Sequence, residues 1–145
     1  MIRSAFALLL LASAANAQDA RLLDGFDGLS AWNATASDSV SATLRHVDGA
    51  KGKALCLDYD FNGVSGYAVA RRLLPLRYPA NYEFRYFLRG DGPVNNVEIK
   101  LADASGDNVW WRSQPNMALP STWTATTLKK RQIDFAWGPA ADRTL

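Results

Sequence analysis

From Ser39 onward the chain falls into short runs in which apolar and polar side chains alternate. Helical spacing of apolar residues, three and four apart over a dozen positions, does not occur convincingly. Leu55, Leu57, Tyr59 and Phe61 form one apolar set, with Asp58 and Asp60 between them. Val97, Ile99 and Leu101 do the same against Asn96, Glu98 and Lys100, and Tyr82, Phe84 and Tyr86 against Glu83 and Arg85. A period of two places one set on a core face and the other on a polar face, as antiparallel sheets with one wet side require. The pattern predicts strands at 39–47, 54–61, 67–74, 82–89, 97–102, 108–113 and 124–129, with shorter pieces at Leu22-Leu23 and 133–135.

The breaks between these runs have turn chemistry. Asp103-Ala-Ser-Gly106-Asp-Asn108 joins two strong strands with residues that tolerate positive φ, and Asn62-Gly63 with Ser65-Gly66 marks another tight connection. Gly90-Asp-Gly-Pro93 is a third break. Short strands punctuated in this way indicate an all-β sandwich or jelly roll. After Phe135 the chain runs Ala-Trp137-Gly-Pro-Ala-Ala-Asp-Arg-Thr-Leu145, which reads as a loop and supplies no closing strand.

Composition changes the picture at the N-terminus. Arg3, the uncharged run from Ala5 to Ala12 and Ala15-Asn16-Ala17 have the form of a secretory signal, so the mature module is expected at residues 18–145, secreted or periplasmic. The whole chain of 145 residues carries 16 Lys and Arg against 14 Asp and Glu. That balance offers no basic footprint for nucleic acid, and no run of about 18 apolar residues follows the signal, so no membrane span is expected. Cys56, the lone cysteine, lies in an apolar run and reads as a small buried hydrophobe. With His46 the only histidine, and no nucleophile elbow, phosphate loop or zinc motif, the sequence has no enzyme signature.

The chemistry that remains is aromatic and polar. Five Trp and five Tyr could stack on the C–H face of a sugar, with planar polar side chains for its hydroxyls. In Asn108-Val-Trp110-Trp111-Arg112 adjacent rings must face opposite sides of a strand. Alternation groups Asn108, Trp110 and Arg112, and this trio beside the outward Glu98 and Lys100 is the expected glycan-facing surface. Arg131 and Gln132, in a basic cluster with Lys129 and Lys130, and Trp137, taken as a loop aromatic, complete the candidate set. A tryptophan on a sandwich is more often a packing residue than a platform. Trp32, in a Ser/Ala/Asn loop, and Trp123 read as packing caps. No cofactor is expected; Asp24 and Asp27 are the only suggestion of a structural calcium site, and Asp at turns ordinarily serves backbone hydrogen bonds.

Several stretches resemble a known family. Leu23-Asp-Gly-Phe-Asp27, the run from Gly52 to Phe61, Tyr86-Phe-Leu-Arg-Gly-Asp91, Asp103 to Trp111 and Lys129 to Trp137 look like galactose-binding-like β-sandwich modules. They are similar to N-terminal modules of bacterial secreted proteins of the coagulation factor five/eight (discoidin) type, with relatives among family eleven carbohydrate-binding modules. The resemblance implies a jelly-roll module, here lacking its final acidic strand, that binds polysaccharide and is linked to further domains of a larger modular protein, a glycoside hydrolase among the candidates. The alternative is a structural module that orders neighbouring domains without binding sugar.

Overall fold

The computed structural model describes residues 20–145; the export signal expected at residues 1–17 lies outside them. Among the described residues the chain forms nine strands, a single 3₁₀ turn and no α-helix. The strands are β1 (Trp32–Ala36), β2 (Ser41–Asp48), β3 (Lys53–Asp60), β4 (Ala68–Arg72), β5 (Glu83–Leu88), β6 (Asn95–Ala102), β7 (Val109–Met117), β8 (Thr124–Lys129) and β9 (Asp134–Trp137), with the 3₁₀ turn at Lys130–Gln132. All pairing is antiparallel: β1 with β4, β2 with β3, β5 with β8, and the three-stranded sheet β6–β7–β9. The molecule is an all-β protein of the sandwich class. None of the described helical residues forms a segment long and apolar enough to cross a membrane.

Alternation explains most of these elements. β5 has Phe84, Tyr86 and Leu88 half-buried between exposed Glu83, Arg85 and Phe87, and β6 alternates just as strictly from Asn95 to Ala102. The expected turn between Asp60 and Val64 has Asn62 and Gly63 both at positive φ, +50° and +75°, with the Asn62 N–H donating to the Asp60 carboxylate at 2.7 Å.

Four expectations need correction. Trp32-Asn-Ala-Thr-Ala36 is a strand, not a loop, although Trp32 does pack, its ring 5.7 Å from that of Phe26. Trp32, Ala34 and Ala36 are half-buried and Asn33 and Thr35 exposed, so the period of two is present but carried by small side chains that look like loop composition. Leu22-Leu23 forms no strand. β7 runs on to Met117 through Pro115, because the β6 partner skips there: Asn95 faces Met117 while Val97 faces Gln114, and the surplus residue on β7 absorbs a proline that a regular ladder would reject. Trp137 ends strand β9 and does not lie in a loop.

The core is thin. Ala54, Val109, Trp110 and Leu128 are the buried apolar side chains, and among the described residues no large side chain is completely enclosed. Most inward residues, including Leu44, Leu57, Phe84, Ile99 and Phe135, remain half-buried. Trp110, the one aromatic ring among the four, therefore represents a large share of the stabilising apolar burial.

Candidate functional site

The β6–β7 register decides which tryptophan faces out. The hairpin closes with Ala102 opposite Val109, so Leu101 faces Trp110, Lys100 faces Trp111, Ile99 faces Arg112 and Glu98 faces Ser113. Directly opposed residues in an antiparallel pair share a face. Trp110 and Arg112 thus lie with the apolar Ile99 and Leu101, while Glu98 and Lys100 lie with Trp111 and Ser113. The grouping of Asn108, Trp110 and Arg112 with Glu98 and Lys100 is corrected: alternation alone separates the two rings but does not say which is inside.

Strand β9 adds a second ring to each face. Trp111 faces Asp134, Trp110 faces Phe135, and Val109 faces Trp137. One step along β7, from Trp110 to Val109, corresponds to two steps along β9, so Ala136 is the extra residue of a β-bulge. Such a bulge re-aims the side chain that follows it. Phe135 points inward onto Trp110, and Trp137, two residues on, points outward onto Trp111.

The outward cluster is partly open. Trp111 and Trp137 meet edge to face, ring centroids 5.5 Å apart and planes at 88°. Lys100 Nζ stands 5.4 Å from the Trp111 centroid and 5.2 Å from that of Trp137, close enough for cation–π attraction to both. Its charge is also met by Glu98 Oε2 at 2.8 Å. Trp137 is 46% exposed. The combination presents π surface, an ammonium donor and a carboxylate acceptor on one sheet face.

The remaining expected residues lie outside this cluster, and Trp110 and Asn108 do structural work. Trp110 is 6% exposed, and its indole N–H donates to the Arg143 carbonyl at 2.7 Å. Asn108, also buried, donates from Nδ2 to Asp103 Oδ2 at 2.6 Å and accepts the Ala140 N–H on Oδ1 at 2.8 Å. Together they pin the stretch after β9 against the β6–β7 loop. Gly138 makes this approach feasible: its φ is +137°, and a Cβ there would overlap the Asn108 side chain and the Asp107 carbonyl. Hydrogen bonds from the Ser105 hydroxyl, the Asn108 side chain, and the Asn108 and Gly106 backbone hold the Asp103 carboxyl at about 2.

Arg112 is half-buried on the inward face beside Tyr86; burial raises the Tyr86 hydroxyl and the Arg112 charge opposes that rise. Gln132 caps the 3₁₀ turn, its Oε1 accepting the Lys129 N–H at 2.9 Å. Arg131 is exposed in that turn, where Lys130 Nζ reaches the Ala80 carbonyl at 3.2 Å.

Asp24 is fully engaged within the protein. Its carboxylate accepts the Phe26 N–H at 2.7 Å, the Trp32 indole N–H at 2.7 Å and the Arg72 guanidinium. Burial works against its charge, yet these donors and the Arg72 charge hold the carboxyl below its usual range. Asp27 is exposed. Among the described residues no three His, Cys, Asp or Glu side chains gather as a metal site would need. Cys56 is not the buried hydrophobe expected. It faces Arg45 on β2 and lies half-exposed with Asp58, which pairs with Arg45; burial, followed by the Asp58 charge, raises its thiol pKa.

Comparison with known protein families, with curated proteins and with solved structures gives no match to this chain.

Proposed function

We propose that this protein is a non-catalytic carbohydrate-binding module of a secreted modular protein, of jelly-roll topology, that takes glycan on the outward face of β6–β7–β9. The observation that carries this reading is the partly exposed Trp137 held against Trp111 with Lys100 and Glu98 alongside. Stacking supplies apolar contact to the C–H face of a pyranose, while the ammonium and carboxylate orient its hydroxyls. The topology is compatible with this reading. β6–β7 is a hairpin nested inside the β5–β8 pair, and a jelly roll wraps such nested pairs across two sheets. The near-neutral charge of the chain suits a neutral partner bound by stacking and hydrogen bonds.

Affinity electrophoresis of the full chain through gels containing soluble polysaccharides tests the reading. Retardation by at least one polysaccharide is expected, with Trp137→Ala weakening it about tenfold or more, as befits an aromatic anchor worth upward of about 1.4 kcal/mol. Retardation unchanged in a folded Trp137→Ala variant would remove this face from consideration.

A second reading, a module that orders neighbouring domains, has its own observation. Tyr67 and Leu73, on either side of β4, are 55% and 84% exposed, and large apolar residues on one edge suit a covering partner. Binding to no polysaccharide, together with protection of the β4 edge in the full-length protein, would favour it.

A further inference from the structure

The angle between the two outward rings restricts what they can hold. A flat polysaccharide surface presents its pyranose faces in one plane, so the aromatic rings that dock on it must be coplanar. Trp111 and Trp137 stand at 88° and cannot both lie against one plane. They form a corner, with Lys100 Nζ over both rings and Glu98 Oε2 2.8 Å from that ammonium.

Resting on the carbohydrate reading above, we infer that this corner takes a single pyranose at the end, or at a sharp bend, of a soluble neutral glycan, gripped by two adjacent hydroxyls. One ring stacks on the sugar face and the other closes off its edge. The Lys100–Glu98 pair supplies a donor and an acceptor separated by a hydrogen-bond length. Neighbouring gauche hydroxyl oxygens on a pyranose are separated by a similar length. One hydroxyl therefore accepts from the Lys100 ammonium while its neighbour donates to the Glu98 carboxylate, a charge-assisted hydrogen bond at each end. Neutrality of the ligand follows from the same pair. A uronate that approached Lys100 would also meet the Glu98 carboxylate, and the attraction and repulsion would largely cancel.

Two binding arms separate this inference from the reading on which it rests. In the first, the full chain is titrated with laminarin, galactan oligosaccharides and maltodextrin while tryptophan fluorescence is followed. In the second, its depletion from solution by microcrystalline cellulose and by chitin is measured. Expected are binding of at least one soluble glycan, a loss of tenfold or more in both Trp137→Ala and Lys100→Met, each verified as folded by circular dichroism, and no depletion by either solid. Depletion that Trp137→Ala abolishes would overturn the corner geometry and leave glycan binding standing. Soluble binding untouched by Lys100→Met would overturn the paired-hydroxyl grip. Absence of binding in both arms would overturn the carbohydrate reading and this inference together.

Discussion

Trp110 and Trp111 are neighbours in the chain and opposites in circumstance. Each meets a ring from β9 edge to face, Trp110 with Phe135 and Trp111 with Trp137, and the two centroid separations are the same, 5.5 Å. The inward pair has its one polar atom satisfied by the Arg143 carbonyl, and Trp110 has almost no contact with water. The outward pair has an ammonium over both rings and nearly half of Trp137 exposed. Two edge-to-face contacts of the same centroid separation thus stand in different settings, and the surroundings rather than that separation distinguish them. A buried indole whose N–H is bonded to backbone is committed to the fold, whereas an exposed ring flanked by a charged pair is free to meet a ligand.

Substitutions on the two sides should separate sharply. Trp110→Ala is expected to cost about 3–5 kcal/mol, enough to unfold a protein with so thin a core, and denaturant titration by far-ultraviolet circular dichroism measures it. Asn108→Ala, which leaves the Ala140 N–H without its acceptor and Asp103 without one donor, is expected to cost about 1–3 kcal/mol in the same titration. Trp137→Ala should cost less than about 1 kcal/mol of stability, the value of one exposed edge-to-face contact, even though it is the variant expected to weaken glycan binding most. A loss of stability for Trp137→Ala equal to that for Trp110→Ala would erase the distinction between the faces.

Acid offers a gentler probe of the inward anchor. The Asp103 carboxyl is held at about 2 in the folded chain, below its ordinary 3.8, so its stabilising hydrogen bonds are fully present above about pH 4. They are lost as pH falls through about 2. The stability gap between the native chain and Asp103→Asn is therefore expected to be constant near neutrality and to close between pH 4 and pH 2.

Much of the fold was legible in the sequence because the alternation was strong. Val97-Glu-Ile-Lys-Leu101 and Tyr82-Glu-Phe-Arg-Tyr86 state their faces residue by residue, and the Asp103–Asn108 turn announces its hairpin. β1 was illegible for the reason that Ala34 and Ala36 are too small to register as a core stripe. The site was harder. Alternation put Trp110 and Trp111 on opposite faces, but choosing between them needs the register, which the loop between Ala102 and Val109 fixes. Once those two residues are paired, the apolar 97, 99 and 101 fall opposite 114, 112 and 110, and Trp111 is left with the charges. Trp137 was picked out only as a loop aromatic; its aim had no local signal, since the surplus Ala136 is visible only against its partner strand.

That surplus residue has a consequence for how such chains change over generations. In an unbroken ladder Phe135 and Trp137 would share a face, and both would belong to the interior. Ala136 introduces a phase slip, so a strand of four residues shows an aromatic ring to each side of its sheet. An insertion beside a core aromatic can in this way export it to the surface with no substitution of any ring, converting packing material into a contact for something outside. In strands as short as this one, counting residues against the partner says more about binding capacity than counting tryptophans.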